Sequence, residues 1–456
     1  MNGYREAIAD KIESLERYTS ELMRREYPTL VSTQILEAIA RILDAARTNL
    51  DETLRRYARV EHGSAPALRI GYRLDLLHRI LFTIGNTSRA NTPPTALVDS
   101  VREVTRRFVP GDIDLMFQPG ITSNQYTLTP FEKWVWEALP STASLVGLPP
   151  DEIKHMLPRH IVLLSYPAAE QNNVLLHSIF LHEIGHHVTA ERRVVESVLE
   201  DHPPAPPITG KRDPHQVIHR WLWEIAADLT ALRAVGPAYL FGIHRSMLIG
   251  EMRRQYTQTH PPAWLRIKLM LDLLERDGLY AVMPEPVRKM ISDWAVEVEA
   301  DEGAARQEMA RADAPLRKAG LEDTAVFEAV EAAVEDVAKE VCAITEEGRY
   351  TAAEYSEECG PLVEQLRYHI PLNEWYEKEG EECEVPRIAS LAGILNAGWN
   401  YVLADLPGVY TNEGAVTPQA QRLHRQRVFG LIAKSIEFAQ IQRDVERVSE
   451  LSPDPE

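Results

Sequence analysis

The sequence predicts a mainly α fold carrying one small β-sheet. Apolar residues recur at three- and four-residue steps over most of the 456-residue chain. Strand-like texture, alternating or short apolar runs stopped by turn residues, occurs near 112–128 and 160–166. The 45% hydrophobic and 26% charged composition suits a globular chain with a sizeable core. At about 100–200 residues per domain, its length suggests two or three domains.

From Tyr4 to about Arg106 the pattern is helical. Ile8, Ile12, Leu15, Tyr18 and Leu22 share one face, and Ile35, Ile39, Ile42 and Leu43 another. Thr92-Pro93-Pro94 punctuates this region, and Pro94 suits the opening of a further helix. A short strand is expected from Asp112 to Phe117, then a turn at Pro119-Gly120 and a second strand at Gln125–Leu128. The run from His160 to Tyr166, stopped by Pro167, reads as a strand. One long helix is expected from Ala168 to Leu199, ended by the prolines of 202–207. Further helices follow at Pro214–Val235, 238–256 and 262–276. Beyond Gly278 the chain reads as almost wholly helical and is strongly acidic from Glu297 to Glu384, which fits a solvated surface.

A formal charge of −19 repels nucleic acid and anionic membrane surfaces, so no nucleic-acid partner is expected. Cys342, Cys359 and Cys383 are odd in number and lack CxxC spacing, as reduced thiols of a cytoplasmic protein would be. The start, Met-Asn-Gly-Tyr-Arg-Glu, does not read as a secretory signal. No uncharged apolar run reaches the roughly 20 residues of a spanning helix, so no integral membrane segment is expected. Ile388–Ala404, interrupted by Ser390, Asn396 and Asn400, reads as a buried amphipathic helix.

The chemistry concentrates at His182-Glu183-Ile184-Gly185-His186. Positions i and i+4 of a helix share a face, so His182 and His186 can hold one Zn2+ while Glu183 reaches water beside it. Composition alone gives fewer than about 0.07 chance occurrences of this spacing. Catalytic zinc takes three protein ligands and keeps one position open. A third histidine six residues on, with glycine three after His186, is excluded by Arg192 and Thr189. Glu224 is the alternative, with Asp228 one turn later to accept a hydrogen bond from a ligand histidine. Ala226 and Ala227 would let the two helices approach closely.

His182–His186 followed by Glu224 and Asp228 resembles the gluzincin pattern. Thr259-His260-Pro261-Pro262-Ala263-Trp264-Leu265-Arg266-Ile267 resembles the H-P-x-x-x-x-R-I signature of the CAAX-prenyl-protease and heat-shock-linked membrane peptidases. The resemblance covers about residues 160–275, and the membrane helices of that family have no counterpart. It implies a zincin-like catalytic core, His260 as an oxyanion donor, and Arg266 as an ion-pair partner, of Asp228 for example. Tyr239 and Tyr256 are further oxyanion-donor candidates, with ordinary packing the plainer role for both.

The expected organisation is an N-terminal helical region (1–110), a zinc metallopeptidase domain (111–277) and an acidic C-terminal helical region (278–456). The expected activity is hydrolysis of a protein or peptide substrate, with 160–166 binding the substrate as an added strand. The enzyme would be regulated or latent until triggered, in a stress or anti-phage setting for example, with the flanking helices holding a regulatory partner. The contrasting reading is a helical interaction protein with a structural or vestigial zinc site. A structural site, however, usually closes on four ligands and often uses cysteine.

Overall fold

A computed structural model describes residues 2–58, 65–88, 95–109, 113–120, 127–129, 131–158, 161–167, 172–203, 213–248, 255–309, 311, 314–318, 320–379, 383–407 and 417–451. Among these the chain is mainly α with two small sheets. In order come α1 (Asn2–Met23), α2 (Val31–Ala58), α3 (Ala65–Asn86), α4 (Thr95–Phe108), β1 (Asp114–Gly120), β2 (Thr127–Thr129), α5 (Phe131–Leu145), α6 (Pro150–Met156) and β3 (Ile161–Pro167). After a 3-10 turn at Val174–Ile179 follow α7 (Phe180–Glu191), α8 (Val194–Asp201), α9 (His215–Val235), α10 (Pro237–Leu248), α11 (Ala263–Arg276) and α12 (Leu279–Val282). The remainder comprises α13 (Glu285–Met309), α14 (Pro315–Lys318), α15 (Asp323–Thr345), α16 (Ala352–Arg367), β4 (Glu374–Glu379), β5 (Cys383–Ile388), α17 (Leu391–Asn400), a π turn at Tyr401–Asp405 and α18 (Pro418–Leu451).

The chain divides into two compact units, Met1–Pro94 with Gly111–Gln171, and Thr95–Pro110 with Asn172–Glu456. The sequence pattern suggested cuts at 110 and 277, but packing groups the chain differently. The first sheet joins the N-terminal helices, whereas the helices carrying His182, His186 and Glu224 share a core with the C-terminal ones.

In the first unit the periodic apolar residues point inward. Ile8, Ile12, Leu15 and Leu22 on α1 and Ile35, Ile39, Ile42 and Leu43 on α2 are all buried in one cluster. The sheet order is β1-β3-β2, with β1 parallel to β3 and β2 antiparallel to it. β3 is therefore central. Ser165 pairs with Gln118 on one side and Thr127 on the other, so this stretch is not the free edge that would accept a substrate strand. The Pro94 helix start, Asp112, Gln125, Tyr126, His160 and the start of the long helix at Ala168 lie outside the described residues.

In the second unit α9 is the axis, buried almost continuously from Trp221 to Val235 and flanked by α7, α8, α10, α11, α15 and α17. The expected single helix before it is broken. α7 ends at Glu191, Arg193 adopts a left-handed φ of 52°, and α8 starts afresh at Val194. α10 stops being described at Leu248, residues 255–262 form no helix, and Pro262 precedes the start of α11.

Gly236, at φ 62°, ends α9 in a conformation open to glycine, and the ring of Tyr350 lies 2.9 Å from where a Cβ would stand. The buried Asn396 then bridges the break, donating to Val235 O and accepting from Ala238 N, each at 2.8 Å. The acidic region is not wholly helical, since β4 and β5 form an antiparallel hairpin. Ile388 belongs to β5, and α17 begins only after Ser390, whose hydroxyl caps Gly393 N. Cys342 and Cys359 are free thiols. No helix among the described residues is long and apolar enough to cross a membrane.

Candidate metal centre

His182, Glu183 and His186 lie on α7, and Glu224 and Asp228 on α9. The close approach of these helices depends on small residues. A Cβ on Gly185 would stand 2.5 Å from Ala227 O and 2.9 Å from Ala227 Cα, so only glycine fits there without a shift. That contact brings the ligand atoms of His182, His186 and Glu224, all buried, to within 4.8 Å of one another. His182 Nε2 is 3.2 Å from Glu224 Oε2, and His186 Nε2 is 3.5 Å from Glu224 Oε1. Tetrahedral ligands on bonds of about 2.0–2.2 Å stand about 3.3–3.6 Å apart, so these spacings suit one small metal ion. Glu224 Oε2 is moreover buried without a well-aligned hydrogen bond among the described residues, an acceptor for which a cation is the natural partner.

Behind the ligands lies a polar layer. His182 Nδ1 is 2.9 Å from Asp228 Oδ1, leaving Nε2 to face Glu224. Arg266 on α11 grips Asp228 with two bonds, Nε to Oδ2 at 2.5 Å and Nη2 to Oδ1 at 2.7 Å. Its Nη1 lies 3.7 Å from Glu224 Oε2. The Tyr239 hydroxyl donates to Asp228 Oδ1, and Tyr256 donates to Asp323 Oδ1, so neither phenol points at a substrate carbonyl.

The electrostatics follow from this burial. For His182, desolvation works against the imidazolium, but Asp228 and Glu224 outweigh it and raise the pKa to about 10. His186 moves the other way, lowered by burial and by the charge of His182. Burial alone would raise Glu224, yet the close approach of the His182 and His186 imidazoles holds it well below the carboxylate range. Burial likewise opposes ionisation of Asp228, and the Arg266 charge overrides it. Without a metal the cluster is held by Arg266 and the His182 imidazolium against the buried carboxylates of Glu224 and Asp228, and a bound cation would take over the place of the His182 proton.

Glu183 is half-buried beside the ligands. His260, whose side chain is 56% exposed, places Nε2 3.6 Å from Glu224 Oε1. Its Nδ1 is 2.8 Å from Thr259 Oγ1, and a proton accepted there from threonine would leave the imidazole proton on Nε2, facing the site. His182, Glu183, His186, Glu224, Asp228, His260 and Arg266 thus lie together, Tyr239 joins them through Asp228, and Tyr256 is instead bonded to Asp323. Trp223 was missed. Its ring lies 4.1 Å from that of His186 and restrains it, and its only sequence signal is its position beside Glu224.

Comparison with known proteins gave no match among family models, curated proteins or solved structures. The class that fold and site define is a helical protein with a buried His-His-Glu group able to hold a metal ion.

Proposed function

We propose that the chain is a zinc-dependent endopeptidase of the gluzincin type, acting on a protein or peptide substrate in the cytoplasm. The observation that carries this reading is the convergence of His182, His186 and Glu224 with Glu183 on the same helical turn. A His-His-Glu donor set with a polar layer behind it suits zinc, which when bound would polarise the scissile carbonyl and acidify water.

The chain's own residues supply the rest. Glu183, one residue from His182, accepts a proton from the attacking water and returns it to the leaving amine. His260 Nε2–H donates to the carbonyl oxygen as negative charge develops there. Asp228 and Arg266 orient His182 and Glu224 from behind and touch no substrate.

Replacing Glu183 with Gln tests this. The variant should bind one zinc per chain, as the wild type does, while cleavage of a casein or cell-lysate substrate falls by at least about 100-fold. A wild-type chain that binds no zinc at micromolar concentration, or a variant that cleaves as fast as wild type, would end the proposal.

A further inference from the structure

The metal-facing side of α9 continues beyond Glu224. Residues four and eight positions earlier lie on the same face, and these are Arg220 and Gln216. Together with Asp213, Val217, Gln258 and Leu321 they line a cavity of about 290 Å³. At 1.5 Å per residue, Arg220 Cα stands about 6 Å from that of Glu224 along the axis, within the reach of a substrate crossing the site.

The loop carrying His260 contributes Gln258 to the same cavity. Trp221 Nε1 donates to Thr257 O at 2.9 Å, and Thr257 N donates to His260 O at 3.0 Å. This tether lays Gln258 beside Arg220 as it lays His260 beside Glu224. Arg220 is exposed, and no carboxylate pairs with it among the described residues. Among the described residues the acid in the cavity wall is Asp213, whose Oδ1 accepts from His215 N at 2.9 Å and which makes no ion pair with Arg220. In a chain with a net charge of −19, an unpaired guanidinium in a cavity beside a metal centre stands out as a recognition element.

The geometry points to this cavity as a substrate subsite in which Arg220 binds a carboxylate, with Gln216 and Gln258 as further polar contacts. The inference rests on the peptidase reading, because it treats the occupant as part of the substrate cut at the zinc centre. The carboxylate has two sources, an acidic side chain or a peptide C-terminus, and one guanidinium serves either.

The test uses the full-length Glu183→Gln chain, with and without zinc, and fluorescein-labelled degenerate decapeptides. One pair differs by Glu or Gln at a fixed internal position, and the other by a free or amidated C-terminus. Fluorescence polarisation should give about tenfold tighter binding for one of the carboxylate peptides than for its neutral partner, as a charge-assisted contact warrants. Adding Arg220→Gln should collapse that ratio to within about twofold, and Arg220→Lys should retain part of it. Which pair responds identifies the source. Equal affinity for both members of each pair, a preference that survives Arg220→Gln, or no binding of any peptide would overturn the inference. Cleavage of the same peptides by the zinc-loaded wild type is scored separately. Cleavage without a carboxylate preference sinks the subsite alone, and a preference in binding without cleavage sinks the peptidase reading alone.

Discussion

Replacing Gly185 with Ala adds a single methyl group where the α7 and α9 backbones meet. The new Cβ would lie 2.5 Å from Ala227 O, whereas ordinary contact begins near 3.4 Å, so the carbonyl must retreat by about 0.9 Å. Ala227 sits mid-helix in α9, three residues from Glu224, so a shift of its carbonyl is shared by the turn that carries Glu224. The retreat therefore carries Glu224 away from His182 and His186. Metal–ligand bonds tolerate about 0.2 Å, so an ion would keep two good ligands and lose the third. Loss of one ligand's orientation is expected to weaken zinc binding by about 10- to 100-fold. Folding stability opposes two terms, a gain of up to about 1 kcal/mol from Gly→Ala in a helix and a loss of about 1–3 kcal/mol from overpacking. Zinc affinity is thus expected to fall far more than the melting temperature. Competition against a chromogenic chelator reads the first quantity, and thermal unfolding of the metal-free protein reads the second. A Gly185→Ala chain that binds zinc like wild type would refute the idea that this contact sets the ligand spacing.

Two further outcomes rest on buried charge. Asp228→Asn removes the carboxylate charge that Arg266 grips, leaving it only the 3.7 Å approach to Glu224, and turns an amide NH2 towards either Arg266 or His182, so metal-free stability should drop by about 3–5 kcal/mol in urea unfolding; a loss below about 1 kcal/mol would mean the pair is not closed in solution. Glu358, buried and accepting from Ser390 N, has its pKa pushed up to about 7 by burial against an unfolded value near 4.5. Because the folded pKa is the higher one, this group's stabilising contribution is present at acid pH and lost as pH rises from about 4.5 through 7, by at most about 3 kcal/mol. Glu358→Gln should accordingly flatten the stability profile between pH 5 and pH 8, and identical profiles for variant and wild type would contradict it.

The grouping of His182, His186 and Glu224 was legible because its logic is local. His182 and His186 share a face by helical arithmetic, and so do Glu224 and Asp228, whatever packs around them. The end of α9 was equally open to reading, since Gly236-Pro237 can only interrupt a helix there. What escaped was governed by non-local packing. β3 reads identically as an edge or a centre, and only the pairing of Ser165 with both Gln118 and Thr127 decides. The break at Arg193 needs a left-handed residue for which arginine gives no signal. The β4–β5 hairpin hides in an acidic stretch where Trp375 and Tyr376 are the main β-favouring residues of the first strand. The division into units joins segments far apart in the chain, a matter of tertiary contact alone.

The clasp of Asn396 on Val235 and Ala238 bears on how the protein is made. The end of the helix that carries Glu224 and Asp228 is secured by a side chain 161 residues further along. Arg233, in the last turn of the same helix, likewise waits for Asp277, Thr345 and Glu346. During translation the residues of the centre leave the ribosome long before the groups that lock their helix. The lock on α9 closes only after residue 396 has emerged, so the spacing between Glu224 and the two histidines becomes fixed only in the finished chain.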